Sequence, residues 1–170
     1  AASIRRSLWA RKASIDASLF DAAFAALERE GLLALRAERV RPGGSEWEPP
    51  AEVMASLRRL EQMLEAEGYL VPDNMACAKA LGSAYAEVVA LGYFLGRLVR
   101  VDAELTYTQA QMDRLKSQMA EWFATHSALT VADLRGFTGA SRKYAVPLLE
   151  HSDRVGWTVR VGDERKWGGA

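Results

Sequence analysis

The chain has 170 residues, of which 49% are hydrophobic and 26% charged, so its composition is that of a folded globular protein and excludes extensive disorder. Its 22 basic and 22 acidic residues cancel, and its single cysteine, Cys77, excludes an internal disulfide and is typical of a reducing cytoplasm. No apolar run reaches the roughly 18 residues of a membrane span. We therefore expect a cytoplasmic protein with no membrane segment and, because it lacks an initial methionine, a piece of a longer protein.

Charge is unevenly distributed along the chain. Residues 51–107 carry 5 basic and 8 acidic side chains, a net −3, whereas residues 108–170 carry 9 and 7, a net +2. A modestly basic end is weak evidence for a polyanionic partner, because one clustered face matters more than the charge of a whole domain. The positions of the cations within the last segment are therefore more informative than their number.

One pattern of residues recurs three times. Each copy begins with a serine, continues with apolar residues at helical spacing, reaches a glycine and ends in two short strands. The copies span residues 18–42, 83–108 and 141–167, and the glycines at their helix ends are Gly31, Gly96 and Gly156. Their spacing of about 60 residues predicts a repeated small domain.

Two more helices precede each of the later copies. Pro49 and Pro50 open the first long helix, whose apolar face is Val53, Leu57, Leu60 and Leu64. Thr108 begins the second with a capping box, and its apolar face, assigned to the core, is Met112, Leu115, Met119, Trp122 and Phe123. Short strands are expected at 68–71 and 128–131, and brief helices at about 73–81 and 131–138.

The resulting order is helix, short strand, helix, turn, helix and hairpin, which describes a helix-turn-helix carrying a β-hairpin wing. We therefore predict a mainly α fold with small β-hairpins (α+β), built from tandem winged-helix domains. Residues 1–48 are predicted to be the C-terminal part of a preceding winged helix, and residues 49–108 and 109–170 are predicted to be two complete winged-helix domains. Units this small bury little surface alone, so stacking against a neighbour is expected to stabilise them.

The last hairpin is the best defined. Its strands, WTVRV and ERKW, flank Gly162-Asp163, which is a strong signal for a two-residue turn. Alternation of side chains predicts that the two valines of the first strand face one way and that Thr158 and Arg160 face the other. The wing is thus expected to expose Arg160 and, across the turn, Arg165 or Lys166.

Residues suited to catalysis or metal binding are scattered. The chain has no GxxxxGK[ST] phosphate-binding motif, and its two histidines, His126 and His151, stand apart without the spacing of a zinc site. Cys77 is expected to be a small core residue, and Asp163-Glu164 fits a turn better than acid–base work. We therefore predict no enzymatic activity, no catalytic residue and no metal site in this chain.

A serine and two cations, Ser141, Arg142 and Lys143, occupy the predicted start of the third helix in the last copy. A helix N-terminus carries a partial positive charge, so adjacent cations are unfavourable there unless an anion binds. Backbone N–H groups, the serine hydroxyl and the wing cations Arg160 and Arg165 would together surround a phosphate. An ordinary exposed basic helix start is the alternative explanation.

Residues 129–167, LTVADLRGFTGASRKYAVPLLEHSDRVGWTVRVGDERKW, closely resemble the last winged-helix domain of the bacterial selenocysteine-specific elongation factors. Residues 1–128 are similar to earlier winged helices of that family, more in architecture than in sequence. The resemblance implies the C-terminal piece of a factor whose N-terminal part, absent from this chain, binds GTP and Mg and carries selenocysteyl-tRNA. It also implies that the last winged helix, residues 109–170, is RNA-binding and binds an mRNA hairpin, the selenocysteine insertion element, which recodes a UGA codon. The winged helix at 49–108 is then expected to be spacer-like.

The same resemblance implies which residues bind RNA and which partners to expect. The predicted RNA-binding residues are Arg135, Ser141, Arg142, Lys143, Arg160 and Arg165. No cofactor is implied for this fragment itself. The expected partners are the mRNA stem-loop and, through the full-length protein, the ribosome and selenocysteyl-tRNA, with the protein acting as a monomer and without a membrane.

Two other functions stay open. A winged-helix DNA-binding transcription regulator would line the middle of its recognition helix with polar, base-reading residues. Here the middle of that helix, residues 145–149, reads AVPLL, and the cations are confined to its start, which favours RNA. A protein-interaction scaffold is favoured instead if the basic cluster is buried or paired with acidic side chains.

Overall fold

The computed structural model describes the backbone of residues 4–5, 17–36, 39–42 and 48–169, and the side chains of residues 22–33 and 48–169. This part of the chain is mostly helical with small antiparallel strand pairs, as the sequence predicts. The chain divides into two compact units, Ala1–Pro50 and Ala51–Ala170. None of the helices that the structure describes has both the length and the apolar character that crossing a bilayer requires.

The first unit contains a helix followed by a hairpin. Helix α1, Ala17–Arg29, ends before Gly31, whose φ of 71° is the left-handed conformation that commonly ends helices. Strands β2, Leu33–Arg36, and β3, Arg39–Pro42, then pair antiparallel, which confirms the predicted order, although the turn between them lies outside the described residues. Strand β1, Ile4–Arg5, also pairs with β3, and no local sequence pattern predicts this long-range contact.

The second unit begins with three helices and a short hairpin. These elements are α2, Ala51–Glu65; α3, Asn74–Leu81; α4, Tyr85–Phe94; β4, Leu98–Arg100; and β5, Thr106–Thr108. The predicted apolar face of α2 lies in the core, where Leu57, Leu60 and Leu64 are at most 1% exposed. Asp73 caps α3, since its carboxylate accepts a hydrogen bond from Ala76 N at 2.8 Å.

Two local predictions in this half are wrong. Residues 68–71 form a turn and an irregular stretch rather than a strand. The carbonyl of Tyr69 accepts a hydrogen bond from the buried Tyr107 hydroxyl at 3.0 Å, so a side chain holds this segment in place of a strand ladder. Ser83, predicted to cap the third helix, lies instead inside a 3₁₀ turn, Gly82–Ala84, that precedes α4.

The second half of the unit repeats the order of elements. They are α5, Gln109–Phe123; α6, Val131–Thr138; α7, Arg142–Arg154; β6, Thr158–Val161; and β7, Glu164–Trp167. The predicted capping box is confirmed, because Thr108 and Gln111 exchange side-chain and backbone hydrogen bonds at the start of α5. The methionines and leucine of the α5 stripe are buried, whereas Trp122 and Phe123, predicted to lie in the core, are only half-buried.

Continuous backbone and buried hydrogen bonds join the two halves. Thr108 is both the last residue of β5 and the N-cap of α5, so no linker separates them. Gln111 Nε2 donates to the carbonyls of Leu64, at 2.7 Å, and Gly68, and breaking such buried bonds is costly. The division into winged helices at 49–108 and 109–170 stays a prediction within one compact unit.

Candidate nucleic-acid interface

The turn between α6 and α7 sets the positions of most predicted RNA-binding residues. Helix α6 ends at Thr138, and Gly139 follows with a φ of 70° while its N–H donates to Arg135 O at 3.0 Å. Ala140 is 3% exposed and anchors the turn in the core. Ser141 is then the N-cap of α7, so Arg135 and Ser141 lie on the two sides of one tight turn.

The start of α7 carries hydrogen-bond donors without acceptors. The Ser141 carbonyl accepts from Tyr144 N at 3.0 Å and from Ala145 N at 2.9 Å, which closes the first helical turn. The Ser141 hydroxyl makes no capping hydrogen bond, and the N–H groups of residues 141–143 find no acceptor among the described residues. A helix start of this kind suits an anion, because the donors and the helix dipole act together.

Exposed cations surround those donors. Arg135, Arg142 and Lys143 are exposed, and none of them makes an ion pair with any residue in the described ranges. Lys143 Nζ lies 5.6 Å from the centre of the Tyr144 ring, a cation–π distance. Positive charge at the positive end of a helix is unfavourable in the unbound protein. The cluster is neither buried nor paired with acids, which argues against the scaffold alternative.

The wing is oriented only partly as expected, because Thr158 and Arg165 turn inward while Arg160 and Lys166 are exposed. The two strands do meet at the predicted two-residue turn. Thr158, however, is 1% exposed, whereas Val159 and Val161 are 56% and 52% exposed. Thr158 is buried because of Asp153 on α7. The carboxylate of Asp153 accepts a hydrogen bond from Thr158 Oγ1 at 2.6 Å and holds the start of β6 against the helix.

Arg165 does not have the exposed position predicted for it. Its side chain is 4% exposed, and its guanidinium is ion-paired with Asp153, with 3.3 Å between Nε and Oδ2. The prediction that Arg165 is exposed on the wing is therefore wrong, and the residue instead fixes the wing to α7. Arg160, directly opposite, is exposed and donates from Nε to Gly162 O at 3.0 Å. Lys166, the alternative to Arg165 in the sequence, is also exposed.

The structure therefore gathers only part of the predicted set. The α6–α7 turn brings together Arg135, Ser141, Arg142 and Lys143. Arg160 lies on a different element, the wing, whose base is fixed to α7 at Asp153. That position lies eleven residues after Arg142, or about 16 Å along the helix, so the base of the wing and the cation cluster occupy opposite ends of α7.

Titratable groups elsewhere in this unit have structural roles. His151 is 7% exposed and accepts at Nδ1 from Arg154 Nη2 at 2.9 Å, and burial, followed by the Arg154 charge, lowers the pKa of its ring. Burial raises the pKa of the Cys77 thiol, which keeps it protonated at neutral pH. In the ranges that the structure describes, no group of three or more His, Cys, Asp or Glu residues could hold a metal ion.

Comparison with known proteins gives two sequence matches. Residues 121–167 match a family model described as the winged helix of elongation factor SelB. The chain is also 25% identical over 143 residues to the selenocysteine-specific elongation factor of Desulfomicrobium baculatum, a match that covers 82% of this chain and 23% of that protein. The chain thus spans about a quarter of the length of the curated relative it matches.

The fold is shared with solved structures, among them the following two. One is the mRNA-binding domain of elongation factor SelB from E. coli in complex with SECIS RNA, which is 19% identical, covers 71% of this chain and 99% of that chain, and has a TM-score of 0.59. The other is a bacterial selenocysteine-specific elongation factor, EF-Sec, which is 18% identical, covers 97% of this chain and 26% of that chain, and has a TM-score of 0.60. At these identities the likeness shows the winged-helix fold.

Proposed function

We propose that this chain, a C-terminal winged-helix region of the SelB type, tethers a selenocysteine-specific elongation factor to a stem-loop in mRNA at a UGA codon. The start of α7 carries the proposal, because Ser141, Arg142 and Lys143 offer hydrogen-bond donors and positive charge at one exposed point. The family match over residues 121–167 includes that point. A domain of the same fold is described in complex with SECIS RNA, which supports RNA as the ligand.

The burial of α7 favours RNA over duplex DNA. Ala145, Leu148 and Leu149 are each 0% exposed, and Val146 and Pro147 between them are half-buried and apolar, so the middle of the helix offers no polar side chain for reading bases. The major groove of A-form RNA is too deep and narrow for a helix, and RNA readers use phosphates, loops and bulges instead. A helix whose exposed cations stand at its start, ahead of an apolar middle, fits that mode of recognition.

Each RNA-binding residue has a distinct role in this proposal. Arg142 and Lys143 neutralise phosphates beside the open N–H groups of α7, which supplies affinity that falls with salt. The Ser141 hydroxyl donates to the same backbone, and Arg135 contacts a neighbouring phosphate from the last turn of α6. On the wing, Arg160 and Lys166 approach the strand, because both are exposed. Arg165 acts through Asp153, by positioning the wing.

The remaining activities of such a factor are proposed to belong to the part of the protein outside this chain. That part binds GTP with Mg, carries selenocysteyl-tRNA and contacts the ribosome. The chain itself acts without catalysis, as a monomer in the cytoplasm. The predicted winged helix at 49–108 serves as a spacer, which its net charge of −3 over residues 51–107 supports.

A pool of RNA hairpins with randomised loop and bulge nucleotides tests the proposal. The protein should enrich particular hairpins and bind the best of them at least about tenfold more tightly than the same stem fully paired or a DNA duplex of equal length. The variant Arg58→Ala/Arg59→Ala, which removes an exposed basic pair from α2, should keep that selectivity. Equal affinity for the DNA duplex would contradict the proposal and favour the transcription-regulator alternative.

A further inference from the structure

A cavity of about 360 Å³ opens to solvent where the end of α5 meets the end of β7. It lies at the opposite end of β7 from the wing turn, and the proposed phosphate contacts do not use it. Its lining consists of Ala120, Phe123, Ala124, His126, Ser127 and Trp167. The cavity is therefore framed by aromatic rings and two polar side chains, a composition that suits a small planar ligand.

Two aromatic rings form the apolar wall of the cavity. Phe123 and Trp167 have ring centroids 5.4 Å apart at an interplanar angle of 44°, and both are half-buried. Trp167 is followed by Gly168, whose N–H donates to Trp157 O at 2.8 Å. A side chain at position 168 would collide with the backbone of Gly156, so the chain passes close to that residue here. The Trp167 ring, with Phe123 tilted against it, offers a partly exposed surface for stacking.

His126 and Ser127 supply polar groups beside these rings. The His126 ring stacks on Trp122 with centroids 3.8 Å apart and an interplanar angle of 10°. Its Nδ1 contacts the Thr125 hydroxyl at 2.9 Å and Trp122 O at 3.1 Å, so Nε2 is the ring nitrogen left for a ligand. Neither Nε2 nor the Ser127 hydroxyl bonds to any residue that the structure describes.

Charge around the cavity favours a polyanion. None of its six lining residues is acidic, although Glu121 is exposed at the next position of α5. Lys116 lies one helical turn before Ala120 on the same side of α5, with Nζ 5.7 Å from the centre of the Trp157 ring. Lys166 precedes Trp167 in β7 and therefore points to the other face of the hairpin, so Lys116 is the cation on the side of the cavity. Aromatic rings interleaved with cations are the usual surface for single-stranded nucleic acid.

We propose that this cavity holds one unpaired nucleobase of the bound RNA. The base stacks on Trp167 against the edge of Phe123, its polar edge hydrogen-bonds to His126 Nε2, and Lys116 neutralises the adjoining phosphate. An apolar side chain of a protein partner would leave the imidazole nitrogen and the Ser127 hydroxyl unpaired, whereas a base pairs with both. The inference rests on the proposed RNA-binding function and adds a site on the far side of the domain from the wing turn.

Matched variants of Trp167 and matched RNA probes test this site. The probes are the hairpin selected from the randomised pool and copies of it in which each unpaired nucleotide in turn is abasic, so that phosphate charge is unchanged. Trp167→Leu should weaken binding of the intact hairpin by about fivefold to 100-fold, and Trp167→Phe should retain most of the affinity. For one abasic copy the Leu variant should bind as well as the parent, because the two losses are not additive.

Three controls keep the outcomes distinct. Tyr85→Leu replaces a half-buried aromatic residue in the other half and should leave RNA affinity unchanged, and thermal unfolding should show that Trp167→Leu is folded. A 5-iodouridine placed at the sensitive position should photocrosslink to the peptide containing Trp167 or to that containing Phe123 and His126. If Trp167→Leu binds the intact hairpin like the parent while Arg142→Ala weakens it, the base site is overturned and RNA binding stands.

Two further outcomes also decide the matter. If Trp167→Leu loses the same factor on the intact hairpin and on every abasic copy, the residue supports the fold or another partner, and the base site is overturned. If the parent protein enriches no hairpin from the pool, the proposed function itself fails, before the variants are compared.

Discussion

The two halves of the second unit share one architecture and differ in what they expose. In both, a glycine of positive φ, Gly82 or Gly139, ends the second helix before the third begins. In the first half the chain then reaches α4 through SAY, without a cation, whereas the second half places Arg142 and Lys143 at the start of α7. The same architecture accommodates either sequence, so charge at one helix start distinguishes the candidate binder in the second half from the first half, which is predicted to be a spacer.

The two hairpins show the same contrast. In the first, the three residues of β5 are buried, and the Tyr107 hydroxyl donates to Tyr69 O at 3.0 Å, so the hairpin is used for packing. In the second, three of the four residues of β6 are exposed, and the hairpin is held through Thr158 and Arg165, which contact Asp153, and through backbone hydrogen bonds between Arg165 and Leu129. A hairpin with a fully buried strand offers fewer side chains to a ligand, which is consistent with the predicted spacer role of the first half.

The largest effect is expected from removing the anchor of the second wing. Asp153→Ala leaves the buried Arg165 guanidinium without its carboxylate, so the free energy of unfolding should fall by about 3 kcal/mol in urea denaturation. Asp163→Ala, at the exposed turn of the same hairpin, should change it by less than about 0.5 kcal/mol. Equal losses in the two variants would show that Asp153 does not anchor the wing.

Removing both cations at the start of α7 should make the second half resemble the first. We expect Arg142→Ala/Lys143→Ala to weaken binding of the selected hairpin by about 100-fold, since two charge-assisted contacts are lost, with little change in stability. Fluorescence anisotropy measures the affinity. Arg58→Ala/Arg59→Ala removes the same charge from α2 and should change affinity less than about twofold. A similar loss in both variants would point to non-specific attraction.

His151, in the second half, should make the stability of the protein depend on pH, which is a smaller effect. Burial and the Arg154 charge hold the pKa of the folded ring below its ordinary value of 6.5, so the unfolded chain takes up the proton first as pH falls. The free energy of unfolding therefore has its full value above about pH 6.5, and it decreases below that pH as the unfolded chain binds the proton. Urea unfolding at about pH 7.5 and about pH 5.5 should show lower stability in acid.

Two histidine variants assign that pH effect. His151→Phe should reduce the difference between the two pH values, whereas His126→Gln, at an exposed position, should preserve it. Stability that increases toward acid, or a difference that survives His151→Phe unchanged, would contradict the assignment.

The smallest effect concerns the two N-caps of the second helix-turn-helix. Thr130 accepts from Asp133 N at 3.2 Å in a capping box, so Thr130→Ala should lower stability by about 1 kcal/mol. The Ser141 hydroxyl makes no capping bond, so Ser141→Ala should change stability by less than about 0.3 kcal/mol and weaken RNA binding by only a few-fold. Thermal unfolding and anisotropy separate the two, and a larger stability loss in Ser141→Ala would count against an open donor.

Local patterns in the sequence predict most of this fold. The buried Leu57, Leu60 and Leu64, the capping box of Thr108 and the turn at Gly162 each follow from residues within a few positions of one another, and the structure confirms them. The same local signals place Ser141, Arg142 and Lys143 together at a helix start, where the structure also has them. These features are predictable because helix periodicity and capping depend on short-range geometry.

Features that depend on tertiary contacts are not predictable in this way. Alternation along β6 and β7 cannot indicate which face packs, because the choice depends on Asp153, which recruits Thr158 and Arg165. The apolar stripe of α5 likewise does not show that it leaves the core at Phe123, where the cavity begins. Both errors concern exposure rather than secondary structure, and exposure decides which residues can reach a ligand.

The salt dependence of RNA binding tests the central claim most directly. If the start of α7 neutralises phosphates, the logarithm of the association constant should fall linearly with the logarithm of salt concentration, and Arg142→Ala should reduce the magnitude of that slope by about one. Arg58→Ala should leave the slope unchanged. A slope for Arg142→Ala equal to that of the parent protein would contradict phosphate binding at this helix start.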